Sequence, residues 1–253
     1  MALADRSYTG GYSSRGGGLP PGVKWLLIIQ GSIFLLLFLA QAFRLGIAEY
    51  SYFLSLVPEL VVKGFAYWQL VTYSFLHDGP MHFLFNALTL WFMGQALENV
   101  WGTKRFLQFY FLCAIGGGIV GVLAGYLFGD TRVPTVGSSG AGFGLLVAFG
   151  VLFAEQTIIF FIFPMKAKYL AMILCGLQFL LAFTPSRTAY SVHIGGILTA
   201  IAYLLYYGRF PRLRFIDQLK QRHRQWKIER ARRKFQVYLR KNSSSSDRDR
   251  FVN

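Results

Sequence analysis

The sequence predicts an all-α integral membrane protein, a bundle of six transmembrane helices. Three observations carry that expectation. The chain is 54% hydrophobic and only 15% charged, against about 45–50% and about 25% in soluble domains. Six apolar runs are separated by polar breaks and, after the first, by a long loop. Charge is concentrated at one end: from Arg209 onward there are fifteen Lys/Arg and four Asp/Glu, so +11 of the net +15 lies there. The rest of the chain is nearly neutral, and the mean hydropathy is +0.42.

The elements follow in order. Residues 1–23 are rich in Gly, Ser and Pro without apolar periodicity, and read as a disordered tail. The first run, Trp25–Phe43, follows Lys24 and ends near Ala40-Gln41-Ala42. That ending resembles a signal-peptidase site, but a retained anchor is favoured, because about 20 apolar residues suffice to span a bilayer. The further spans are Met81–Leu97, Phe106–Phe128, Ser139–Ala154, Tyr169–Phe183 and Ser191–Tyr207. The stretch "TIIFFIFPMKAKY" is apolar but broken by Pro164, and is expected to lie at the membrane surface. The expected organisation is a tail (1–23), a six-helix core (24–208) and a basic tail (209–253).

Orientation comes from Lys and Arg, which accumulate on the cytoplasmic side. Six spans put both termini together with Arg6, Arg15, Lys24, Lys104, Arg105, Lys166, Lys168 and the fifteen basic residues of the tail. The opposite side holds Arg44, Lys63, Arg132 and Arg187. Both termini are therefore expected in the cytoplasm. The long first loop, about residues 44–80, faces outward, and its aromatics suit the interface.

Polar groups inside spans are costly and point to function. With this orientation, His82 and Asn86 lie in the outer half of the second span, Ser139 opens the fourth, and His193 stands near the start of the sixth. Three segments thus bring Ser, His, His and Asn to one depth. His82 and Asn86 are four apart and share a helix face. Taken alone they are as readily explained by interhelical hydrogen bonds, and the GxxxG of Gly140 and Gly144 by close packing.

Together they suggest nucleophilic chemistry. A serine hydroxyl needs a base to take its proton, and a neutral histidine within reach supplies one. Asp78, Glu98, Asp130 and Glu155 all fall at span edges. With no buried carboxylate to orient His193, a Ser–His dyad is expected rather than a triad. Ser139 at a helix start also brings unpaired N–H groups suited to an oxyanion, and His82 and Asn86 add side-chain donors. A G-x-S-x-G elbow does not fit, because Ala141 stands at the final position and no strand precedes. A metal site is weak: His77 and His82 are five apart and share no helix face, and no acidic partner is expected beside them. Cys113 and Cys175 sit in apolar runs and read as core thiols.

At these residues the chain resembles the rhomboid intramembrane serine proteases. The G-x-S-G element appears as Gly137-Ser138-Ser139-Gly140, the H-x-G-G element as His193-Ile194-Gly195-Gly196, and H-x-x-x-N as His82 to Asn86. "WQLVTYSFLH", "LENVWGTKRF" and "FPMKAKY" extend the likeness over about residues 66–207. The resemblance implies a six-helix rhomboid bundle in which Ser139 is the nucleophile and His193 the general base. It further implies an oxyanion hole of His82, Asn86 and the Ser139 backbone, with Phe143 stacking on the catalytic histidine. Val192 stands where the family often has Ala. The implied activity is endopeptidase cleavage in or near a transmembrane segment of membrane-protein substrates, without a cofactor or metal, in a bacterial cytoplasmic membrane.

Two other classes compete. An inactive rhomboid-like binder that guides membrane proteins would tolerate loss of Ser139. A small-solute transporter would want polar residues at mid-depth and on the cytoplasmic side as well. The basic tail is either an amphipathic helix on anionic lipid, with Ile216, Leu219, Trp226, Phe235 and Tyr238 on its apolar face, or a solvated extension. Nucleic acid is not an expected partner.

Overall fold

The computed structural model describes residues 18–46, 51–129, 131–160, 163–181, 187–207 and Trp226. The chain divides into two units at Tyr207. The expectations for the N-terminal tail before Gly18 and for the basic tail, Trp226 apart, lie outside the described residues.

Every apolar run read from the sequence is helical where it is described. The first is α1 (Pro21–Ala42). The long loop after α1 folds into three short helices, α2 (Ser51–Leu54), α3 (Pro58–Lys63) and α4 (Gln69–Thr72), and a 3₁₀ turn at Tyr73–Phe75. The second run is continuous but uneven: α5 (Pro80–Thr89), a π-helical turn at Leu90–Gly94, then α6 (Gln95–Trp101). The remaining helices are α7 (Thr103–Phe128), α8 (Ser139–Leu152), α9 (Ala167–Leu181) and α10 (Arg187–Tyr206). Pro21–Ala42, Thr103–Phe128 and Ala189–Tyr206 are each long and apolar enough to cross a membrane. Large apolar side chains such as Leu36, Leu123, Leu127, Met172 and Leu180 stand exposed, as lipid-facing residues do and as a water-facing surface of this extent would not.

The segment between α8 and α9, expected at the membrane surface and not as a span, has regular structure. It forms an antiparallel hairpin of β1 (Thr157–Phe160) and β2 (Phe163–Lys166), with Ile159 opposite Pro164. β-branched and aromatic residues favour strands, and in a two-stranded sheet a proline can turn its missing N–H outward. Glu155 accepts from Lys166 at 2.6 Å and Lys168 at 2.5 Å, tying the hairpin base together.

Close helix approach sets the core. α10 packs along α7 and α8. A Cβ on Gly195 would stand 2.6 Å from the Gly116 carbonyl oxygen and 2.8 Å from Gly117 Cα. A Cβ on Gly196 would collide with the carbonyl of Gly140 on α8. Only glycine allows backbones this near each other. At the other end of the bundle, the buried carboxylate of Glu98 on α6 accepts the Gly22 and Val23 N–H groups at 2.8 Å and the Thr103 hydroxyl at 2.6 Å. It thereby satisfies the donors that open α1, which begins on a proline and has no cap of its own. Cys113 is buried in α7, whereas Cys175 is only half-buried on α9.

The loop between α1 and α5 is fixed to the segment preceding α8. Leu56 and Thr135 exchange N–H···O bonds of 2.9 Å, and Gly137 N–H donates to the Tyr73 carbonyl at 2.9 Å. Arg132 donates to Glu59 at 2.6 Å. Buried Gln69 accepts the Val57 N–H at 3.0 Å and donates to the Phe53 carbonyl at 3.1 Å. Tyr73, also buried, donates its hydroxyl to the Ala114 carbonyl of α7 at 2.7 Å.

Candidate active site

The stitched segment delivers the chain to α8 in one conformation. Gly137 has φ +121°, a region open essentially to glycine. Ser138 then occupies the N-cap and Ser139 the first helical position. The two serines differ in surroundings. Ser138 is buried, and its hydroxyl lies 3.4 Å from His77 Nε2. Ser139 is half-buried, and its Oγ lies 2.7 Å from His193 Nε2. Ser139 also sits at a helix N-terminus, where backbone N–H groups lack intrahelical acceptors.

His193 is placed by α10, whose glycines at 195 and 196 let this turn approach α7 and α8. Its ring lies 4.8 Å from that of Phe143 at an interplanar angle of 34°, one turn beyond Ser139 on the same helix. Tyr190 meets it edge-on at 6.0 Å. Its second nitrogen, Nδ1, lies 2.7 Å from Oε1 of Gln178, a buried residue of α9. Nothing in the sequence signals this contact: Gln178 lies among apolar residues of α9, and a neutral amide stands where a carboxylate is the usual partner of such a histidine.

His82 comes from the first turn of α5. Its Nδ1 lies 2.5 Å from Oδ1 of Asp78. The ring hangs over Gly137, so near that a Cβ there would stand 2.6 Å from His82 Nε2 and 3.6 Å from Ser139 Oγ. The absence of an acidic partner expected from the sequence is therefore corrected. Asp78 precedes the helix, and the turn at Gly79-Pro80 folds it back onto His82. His77 and His82 also come together, with ring centroids 5.3 Å apart, because His77 lies outside the helix and the five-residue spacing does not apply. Burial and the neighbouring His82 push His77 down to about 4, so it is neutral near pH 7. Among the described residues no group of three His, Cys, Asp or Glu side chains is placed to hold a metal ion.

Asn86 is buried one turn further along α5, and donates to the His82 carbonyl at 2.8 Å. Its Oδ1 lies 3.9 Å from where a Cβ on Gly142 would be. Asn86 therefore flanks the helix turn after Ser139, with one of its two N–H groups engaged within α5. The structure thus gathers Ser139, His193, Phe143 and His82 around one point, with Asn86 at its edge.

Exposed apolar helices define a class, a helical integral membrane protein, here with a serine and a histidine in contact at a helix start. The chain belongs to the rhomboid family, whose model, described as the Rhomboid domain, matches residues 64–210. It is similar to Rhomboid protease GluP of Bacillus subtilis (strain 168), with 34% identity over 140 residues, 55% of this chain and 26% of that protein. It is also similar to Rhomboid-like protease 3 of Toxoplasma gondii, with 32% identity over 150 residues, 58% of this chain and 54% of that protein. A third relative is Rhomboid protein 1, mitochondrial, of Saccharomyces cerevisiae (strain ATCC 204508 / S288c), with 28% identity over 166 residues, 64% of this chain and 45% of that protein. The matches span between about a quarter and about half of these relatives' own length.

Proposed function

We propose that the chain is an intramembrane serine endopeptidase that cuts a peptide bond in, or next to, the transmembrane segment of another membrane protein. The observation that carries this reading is the 2.7 Å contact between Ser139 Oγ and His193 Nε2. Ser139 is the nucleophile and His193 the general base. Ser139 Oγ attacks the scissile carbonyl carbon while its proton passes to His193 Nε2. The resulting oxyanion is held by the backbone N–H at the start of α8 and by His82 and Asn86. His82 faces the oxyanion with Nε2, while Asp78 Oδ1, 2.5 Å from its Nδ1, fixes the orientation of the ring. Collapse of the intermediate returns the proton from His193 to the leaving amine, and water then hydrolyses the acyl-enzyme by the same two groups in reverse order.

The substrate helix must unwind locally, since a carbonyl paired within a helix cannot face the serine. Small residues at the cut, with helix breakers nearby, favour this. The bundle crosses a bacterial cytoplasmic membrane six times with both termini inside, as the asymmetry of Lys and Arg supports. The organisation is an N-terminal tail, expected over 1–23 but giving way to α1 already at Pro21, a protease core to residue 208 and a basic tail over 209–253 that meets anionic lipid. The test is cleavage of a single-span substrate in liposomes, wild type against Ser139→Ala. Loss of cleavage in the variant supports the reading, and equal cleavage removes it.

A further inference from the structure

We infer that Gln178 is a positioning residue that fixes the tautomer and orientation of His193 through the Nδ1–H to Oε1 hydrogen bond. This rests on His193 being the base for Ser139, as proposed above.

A neutral imidazole carries one proton. If it sits on Nε2, the nitrogen facing Ser139 Oγ has no lone pair to offer, and the ring cannot act as base. If it sits on Nδ1, Nε2 is free to accept. Which tautomer is present is set by the partner of the other nitrogen. Gln178 Oε1, 2.7 Å from Nδ1, is a carbonyl oxygen and accepts only, so it selects the Nδ1–H form. The other ring neighbours, Phe143 against one face and Tyr190 at the edge, restrain the plane of the ring without choosing a tautomer. As the imidazole becomes imidazolium during attack, the same oxygen remains an acceptor for the Nδ1 proton. A neutral amide thus occupies the place that a carboxylate takes in a triad.

The burial of Gln178 agrees with this. α9 is otherwise apolar around it, with Leu177, Phe179 and Leu180 exposed on either side. Burying an amide is unfavourable unless it is hydrogen-bonded, and the contact with His193 supplies that bond.

The test uses the full chain in detergent, with Gln178→Met and Gln178→Glu. Methionine keeps the length and volume of the side chain and removes the acceptor, while glutamate keeps an acceptor oxygen. Loss of the outer partner that orients a metal-bound histidine costs on the order of 10–100-fold, and the same orienting role is asked of Gln178. Gln178→Met is therefore expected to lower kcat, and the labelling rate with a fluorophosphonate probe, by about 10–100-fold. KM and the thermal midpoint should stay near wild type, and Gln178→Glu should retain more activity than Gln178→Met. Wild-type labelling by Gln178→Met, or equal losses in both variants, would overturn the inference. Should Gln178→Met fail to fold, 15N spectra of histidine-labelled wild type decide, with the His193 signal assigned by its absence in His193→Ala. A proton on Nδ1 supports the role of Gln178 and a proton on Nε2 overturns it. The dyad reading fails separately: in that case Ser139→Ala still labels or still cleaves, whatever Gln178 does.

Discussion

Gly196 on α10 packs its α-carbon directly against the backbone carbonyl of Gly140 on α8, one residue beyond Ser139. His193 is three residues before Gly196, so this backbone contact sets the distance between the two helices at the turn where hydroxyl and imidazole meet. A methyl group on Gly196 has no flexible side chain to displace, because what it meets is main chain. Overpacking a tight contact typically costs about 1–3 kcal/mol and occasionally more. Gly196→Ala is expected to lower the thermal midpoint in detergent and to abolish cleavage. Wild-type stability and rate in this variant would mean that the helices are not held at this distance.

Phe143 touches the face of His193 rather than its nitrogens. Such a contact is worth about 0.5–1.5 kcal/mol, which corresponds to a loss of roughly 2–10-fold in rate for Phe143→Ala. Steady-state cleavage should show this modest fall, with Phe143→Tyr close to wild type.

The oxyanion donors should separate from the dyad by magnitude. Removal of one donor has cost about 10²–10³ in rate where measured. Asn86→Ala and His82→Ala are each expected to leave reduced but measurable cleavage, well above that of Ser139→Ala. Asp78 reaches the site by its contact with His82. Asp78→Ala should therefore slow cleavage less than His82→Ala, and should change nothing further when added to it. Additive losses in that double variant would show that Asp78 acts elsewhere.

Topology has its own check. A tag inserted beside Arg132 should be accessible from outside intact spheroplasts, and a reporter after Asn253 should read as cytoplasmic. An Arg132 tag that proteases cannot reach would invert the bundle and place Ser139 at the opposite membrane face.

Much of this arrangement is legible in the chain, and the boundary has physical causes. The helices follow from runs of apolar residues, since a span leaves a continuous signal about twenty residues long. The encounter of Ser139 with His193 is readable because both open apolar segments entering from one side, so equal position implies equal depth. Contacts made outside regular elements leave no such signal. Asp78 reaches His82 through a turn, and His77 lies beside His82 although a helical count of five separates them on different faces. Gln178 is inside a helix, but its meaning depends on which face of α9 turns toward α10. The β1–β2 hairpin carries an apolar composition that fits a surface-lying segment as well as a strand pair. The π-helical turn at Leu90–Gly94 is invisible to hydrophobic periodicity because its five residues, Leu-Trp-Phe-Met-Gly, carry no polar side chain to mark a change of phase.

In the proposed mechanism Ser139 Oγ, activated by His193, attacks the peptide bond. The most direct measurement joins two readouts on the same purified protein: cleavage of a single-span substrate, and mass-spectrometric mapping of a fluorophosphonate label. Wild type should cleave and carry the label on Ser139. Ser139→Ala and His193→Ala should each fall to background in both readouts, because nucleophile and base act as one unit and their losses do not add. A label mapped to Ser138, or cleavage by Ser139→Ala at the wild-type rate, would contradict the account.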